Sequence, residues 1–173
     1  WRALEETGAF LPLEGEKVPA KVQTRIAAGY DAENVYFLIL CDDPNGSELT
    51  YDNQDFFTIS INPDATKNRW YQYTLHPTNF LKFSYVWKNY FEEESGPDAA
   101  WVSSWLTATT TQANRWVAEI AIPLKELGAD DPAGKTWDIN FQRVSDHLPG
   151  ITWTGRIDNP SQFGRIVFKG ARQ

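Results

Sequence analysis

The segment from Asp42 to Asp55 carries five carboxylates: Asp42, Asp43, Glu48, Asp52 and Asp55. Oxygen grouped this closely is what a hard divalent cation needs, since Ca²⁺ takes roughly six to eight oxygen ligands. The spacing is not that of an EF-hand loop. Two readings stand at this point: a solvated acidic loop, or a structural Ca²⁺ site. The second would draw on Asp42, Asp43, Asp52 and Asp55, with backbone carbonyls completing the shell and the ion ordering a long loop. His147 beside Asp146 adds an imidazole, and a His-plus-carboxylate set also suits a transition metal. Ser, His and Asp are all present, but no nucleophile motif accompanies them, so an enzyme is not expected.

The second notable group is aromatic. Aromatic residues make up 14% of the 173 residues, with eight Trp. That exceeds what the core of one such domain needs, so some indoles are expected at the surface, where they can stack on a ligand. Core packing is expected for Trp105, Trp116 and Trp137, and surface positions for Trp70, Trp87 and Trp153. The strand-like run Trp137–Val144 sends Asn140 and Gln142 outward. Neighbouring amides on one face offer donors and acceptors together.

Composition limits the partners. The formal net charge is −7, which argues against nucleic acid and anionic membrane. Cys41 is the sole cysteine, so neither an internal disulfide nor a thiolate cluster is available. Neither a signal-peptide pattern nor an apolar run long enough to span a bilayer is read in these residues, so no membrane insertion is expected. The abrupt start at Trp1 suggests a piece of a longer protein.

Period-2 alternation positions these groups. Phe57, Ile59 and Ile61 face one way, Phe56, Thr58 and Ser60 the other, and Asn62-Pro63-Asp64 ends the run. Similar runs are expected at 22–30, 70–75, 80–87, 101–109, 115–122, 137–144 and 165–168. Val35 to Cys41 is apolar throughout and reads as a strand buried on both faces, paired in a hairpin with the preceding run. A turn is expected at Thr109–Gln112 and a long polar insertion at 88–100. Pro123 to Gly128 reads as a single helical turn. Short strands at this spacing predict one all-β domain over 1–173, an antiparallel β-sandwich of jelly-roll or immunoglobulin-like type.

Several motifs occur in order: Tyr30-Asp31-x-x-Asn34-Val35-Tyr36, Gln54-Asp55 before a strand ending Asn62-Pro63, and Trp116-Val117-Ala118-Glu119-Ile120-Ala121-Ile122-Pro123. Trp137-x-x-Asn140-Phe141 and Asn159-Pro160-Ser161-x-Phe163-Gly164 follow. Together they resemble carbohydrate-binding module family 9. The resemblance implies a sandwich with structural calcium that binds a polysaccharide or oligosaccharide beside a catalytic domain of a secreted or cell-surface protein. Gln142, preceded by Asn140, matches the family's binding glutamine. The family's glutamate falls at Thr58. Where the family places two sugar-clamping tryptophans, this chain has Tyr51 with Asp52, and Arg156-Ile157-Asp158. The resemblance thus implies a sugar read by Tyr51, Asn140 and Gln142 together with Trp70, Trp87, Trp153 or Trp101. Two alternatives remain: a structural or accessory sandwich without sugar binding, and a haem domain of the related DOMON type. The latter usually ligates iron through Met and His; here only His76 and His147 are available, for the chain has no Met.

Overall fold

A computed structural model describes residues 7–13, 22–50, 52, 54–67, 69–88, 96–98 and 100–170. Two antiparallel sheets face each other, as the alternation predicts. The smaller has the order β2-β3-β9-β8, with β2 at Thr24–Tyr30, β3 at Asn34–Asp42, β8 at Leu106–Gln112 and β9 at Arg115–Pro123. The larger contains β1 (Leu11–Pro12), β4 (Phe56–Asn62), β5 (Arg69–Leu75), β6 (Lys82–Lys88), β7 (Gly96–Asp98), β10 (Thr136–Val144), β11 (Ile151–Thr152) and β12 (Gly164–Val167). Its order is β1-β11-β10-β4-β5-β6-β7, with β12 paired to the start of β10. The one helical turn expected from the sequence is a 3₁₀ turn at Leu124–Leu127, ended by Gly128 at a left-handed φ of 64°. Two further 3₁₀ turns cover Gly46–Glu48 and Pro160–Gln162. Among the described residues no helix is long and apolar enough to cross a membrane.

The core lies between the sheets. Phe37 meets Phe141 edge-on at 5.8 Å, and Phe57 meets Trp116 at 6.3 Å, so aromatic contacts join the layers. Such pairs stabilise beyond the area they bury. Trp105, Trp116 and Trp137 are buried, as expected. Cys41 is buried here too, and burial pushes its thiol up to about 11, which leaves it unreactive.

Several local expectations change. β3 is buried on one face only: Val35, Phe37, Ile39 and Cys41 are inside, while Tyr36, Leu38 and Leu40 are half-exposed on the outer side of the smaller sheet. Residues 101–105 are not a strand. The Ser104 N–H donates to Glu126 Oε1 at 3.0 Å and the Ser103 hydroxyl donates to the same carboxylate, which holds this segment off the ladder. The run Thr107–Thr111, expected to turn at its end, stays extended through Gln112 and pairs with β9 across a turn at 113–114. β-Branched threonines favour that outcome. Within the 88–100 insertion, Gly96–Asp98 pairs with β6.

The acidic loop after β3 is pressed onto the β8–β9 hairpin. Asp43 N donates to Asn114 O at 2.9 Å. Gly46 is buried there, and a Cβ on it would sit within 2.6 Å of the Arg115 backbone and closer still to the Gln112 carbonyl. Backbone cannot yield as a flexible side chain does. Gly46→Ala should therefore cost about 1–3 kcal/mol of stability, read as a lower urea midpoint at unchanged slope; an unchanged midpoint would show that the loop moves away freely.

Candidate functional site

Register brings the outward residues of four strands into rows on the outer face of the larger sheet. Gln142 lies opposite Thr58, Thr58 opposite Thr74, and Thr74 opposite Phe83. One step along, Asn140, Ser60, Gln72 and Tyr85 form a second row. Trp70 and Trp87 are partners at the far end. The inward residues of these strands, including Ile59, Ile61, Tyr73 and Phe141, fill the core and hold the face in place.

Part of this face is roofed. The loop after β11 crosses β10 and β4. Its Gly155 carbonyl accepts from Asn140 Nδ2 at 2.8 Å, and its Ile157 carbonyl accepts from the Ser60 hydroxyl at 2.8 Å. Thr154 N and Phe141 N both donate to Asn140 Oδ1. Asn140 is fully buried, so its amide anchors a loop rather than facing outward. At the loop's surface, Arg156 and Asp158 pair through two bonds of 3.0 and 2.8 Å. The Arg156 side chain holds the Asp158 carboxyl below its ordinary value.

The unroofed part runs over β4, β5 and β6. Trp87 is half-exposed and lies flat on Trp70, centroids 5.4 Å apart and planes 3° from parallel. Trp70 is itself 1% exposed. It is on the outer side, as the alternation predicts, but it is covered and acts as the support under Trp87. The Trp87 indole N–H donates to Gln72 Oε1 at 3.1 Å, and Gln72 Nε2 donates to the Ser60 hydroxyl at 3.4 Å. Two bonds thus fix the orientation of an indole whose free edge is at the surface. Tyr85 and Phe83 continue the strip, 5.5 Å apart. Gln142 is half-buried at its other side.

The remaining aromatic candidates are elsewhere. Trp153 packs on the core ring of Phe141 at 5.5 Å and fits over Gly164, where a Cβ would meet its ring at 2.5 Å. Trp101 packs against Tyr71 and Tyr73. Both therefore belong to the core side of the sheet. Tyr51 lies outside the described residues. Gln72 was missed in the sequence because a lone glutamine in a strand carries no signal of its own.

The acidic loop forms a second cluster at the end of the sandwich where β4 begins. Asp43 and Asp55 are fully buried, and with His147 they bring ligand atoms within 4.8 Å of one another. Asp43 Oδ2 accepts from Arg143 Nη2 at 2.5 Å, and Arg143 Nη1 also donates to Asp42 O at 2.8 Å. His147 lies 3.4 Å from Asp43, 3.5 Å from Asp55 and 2.9 Å from Asp146. Burial opposes charging the imidazole, but the Asp146 hydrogen bond and the Asp55 and Asp43 carboxylates outweigh it and raise its pKa. Burial pushes the Asp55 carboxyl above the usual carboxylate range, against the pull of Ser145, His147 and Arg143. Both Asp55 oxygens are buried and fall short of a full hydrogen bond. Asp43 Oδ1, by contrast, accepts from Asn45 N at 2.8 Å.

Asp42 and Asp52 are not drawn into this cluster. The Asp42 carboxylate turns to Arg25 and Arg115, at 3.5 and 3.4 Å. Asp52 is exposed in a turn. Arg143 was overlooked in the sequence, although its parity with Trp137, Ile139 and Phe141 puts a charge on the inward side of β10. A charge at a core position calls for a buried partner.

No family model and no curated protein matches the sequence. Solved structures do resemble it. A carbohydrate binding module family 9 from Caldicellulosiruptor kristjanssonii, in complex with cellotriose, superposes with a TM-score of 0.70 at 18% identity, covering 99% of this chain and 86% of that one. The same module with glucose gives 0.69 at 18% identity, covering 99% and 87%. This chain has their fold. At such identity the likeness extends to the architecture, and the side chains must be argued individually.

Removing one partner of a buried ion pair leaves the other charged and unsolvated. Arg143→Met should therefore cost about 3–5 kcal/mol. Adding Asp43→Asn should cost less than the sum of the single changes, as coupled residues do. Urea melts of the two singles and the double measure this; simple additivity would show that the pair is not coupled.

Proposed function

We propose that the chain is a non-catalytic carbohydrate-binding module whose ligand lies on the outer face of the larger sheet. The observation that carries this reading is Trp87: a half-exposed indole laid flat on a buried one, with its N–H tied to Gln72. A pyranose has apolar C–H faces that stack on such a ring. Tyr85 and Phe83 extend the apolar strip, and the Gln142 amide beside Thr58 and Thr74 supplies donors and an acceptor for hydroxyls. The rigid mounting matters because little side-chain entropy remains to be lost on binding. The solved neighbours, one holding cellotriose and the other glucose, support a saccharide as the partner. In this reading the chain sits beside a catalytic domain in a secreted or cell-surface protein.

The test is a titration with cellotriose and a panel of soluble and insoluble glucans, followed by tryptophan fluorescence. Trp87→Ala should weaken binding by about tenfold or more, as loss of a central aromatic anchor does. Gln142→Ala should weaken it by about tenfold or less, since it removes one hydrogen-bonding group. Silence across the panel from folded protein would shift the reading to a structural accessory domain.

We further propose that Ca²⁺ binds at the acidic end, held by Asp43 and Asp55 with backbone carbonyls completing the shell. The unsatisfied Asp55 oxygens support this, and the ion's effect would be to order the loop after β3. At about a hundredfold excess of Ca²⁺ over its Kd, roughly 2.7 kcal/mol of stability depends on the ion. EDTA should then lower the melting temperature by several degrees, and Asp55→Asn should abolish that response. A melting temperature indifferent to both EDTA and Ca²⁺ would refute the calcium site and leave Arg143 and His147 as the neutralising charges.

A further inference from the structure

At the end of the sandwich opposite the acidic cluster, β4 runs out at Asn62, β5 begins at Arg69 and β10 begins at Thr136. A cavity of about 470 Å³ opens between these points and the turn at 127–129. Its rim carries Lys67, Arg69 and Lys135. In a chain of net charge −7, three cations around one cleft run against the overall sign.

Among the described residues the only carboxylate lining the cleft is Asp64, and it is already engaged. It accepts from the Thr66 hydroxyl at 2.6 Å and the Thr66 N–H at 3.1 Å, and it pairs with Lys67 at 3.3 Å. The Thr66 bonds hold its carboxyl below the ordinary value. Arg69 and Lys135 have no carboxylate partner among the described residues. Two cations without a carboxylate partner among the described residues thus flank a cavity whose wall includes the apolar Leu127 and the edge of Tyr71.

We propose that this cleft binds a uronate, a sugar residue bearing a carboxylate. The Arg69 guanidinium presents a planar fork that matches a carboxylate, and Lys135 adds a second charge. At about 470 Å³ the cavity is larger than a bare inorganic anion needs. It has the size of a small-molecule site. The apolar wall suits the C–H face of a sugar ring, and the exposed Thr136 hydroxyl suits its hydroxyls, while the Asn62 amide is engaged within the turn, donating to Lys67 O and accepting from Asp64 N. The sugar part of this inference rests on the carbohydrate reading above, but the site is distinct. It lies between the sheets at their end and does not include Trp87.

Calorimetric titration of the whole chain with glucuronate, with glucose and with cellotriose, at low and at high salt, tests the assignment. Glucuronate should bind saturably at low salt and more weakly at high salt, because rim charges are screened. A double change, Arg69→Gln with Lys135→Gln, should weaken glucuronate about tenfold or more and leave cellotriose unaffected. Trp87→Ala should do the reverse. If cellotriose binds and glucuronate does not, this inference falls and the proposed function stands. If glucuronate binds while cellotriose and the whole glucan panel do not, the outer-face site of the proposed function falls and the cleft stands. Glucuronate binding that survives the double change, or that sulfate or glucose displaces equally well, overturns the assignment.

Discussion

A buried guanidinium ties the two sheets together. Arg143 belongs to β10 of the larger sheet, and Asp43 follows β3 of the smaller one. Their side chains are 3% and 0% exposed and meet at 2.5 Å. An unpaired charge at this depth would cost several kcal/mol, so Arg143 can occupy an inward position only if Asp43 arrives there too. The same guanidinium takes the Asp42 carbonyl, which fixes where β3 ends. The parity of β10 follows. With Arg143, Phe141 and Ile139 inward, Gln142 and Asn140 must point outward, because a strand slip of one residue would exchange the two sets.

That parity allots roles to chemically similar residues. Asn140 and Gln142 are two residues apart on one strand face, yet the loop at 153–158 lies over the first and stops short of the second. One amide becomes structure and the other stays at the surface. The same division applies to the tryptophan pair. Trp70 and Trp87 are register partners of similar chemistry, but burial of the first turns it into a floor for the second. A single exposed indole would sample several rotamers. Stacked and hydrogen-bonded, Trp87 presents one orientation.

The layered architecture was legible in the sequence because alternation in β4, β5, β9 and β10 is strong and its physical cause is local: side chains leave a strand on alternate faces. The central errors came where local signals were overridden from a distance. Ser103 and Ser104 have strand-compatible neighbours, but a Glu126 carboxylate from another turn claims their hydroxyls. Trp70 has the parity of a surface residue, and only tertiary packing buries it. Asp42 and Asp43 are adjacent and identical in type, so nothing local could have told which would go inward. That decision belongs to Arg143, Arg25 and Arg115, the first of them a hundred residues away. Trp153 and Trp101 looked like platform candidates because aromatic count alone does not reveal which side of a sheet a loop residue will cover.

The arrangement also explains how an acidic chain can hold three chemically different surfaces on the same strands. β4 has Asp55 immediately before it and Asn62 at its far end, so the acidic cluster and the cationic cleft are separated by about 20 Å of strand. At the acidic end Arg143 and His147 lie against the buried carboxylates and offset them locally, so the net charge of −7 does not by itself set the field at the cleft. Between the two ends the outer face of β4, β5 and β6 is built of hydroxyls, an amide and aromatic rings without a formal charge: the half-buried Thr58, Gln72, Phe83, Tyr85 and Trp87, with Thr74 buried among them. A face without charge attracts ligand through stacking and directed hydrogen bonds, which salt screens little. Charge at the ends and neutrality in the middle are thus carried by the same strands, whose facing the buried Arg143–Asp43 pair sets.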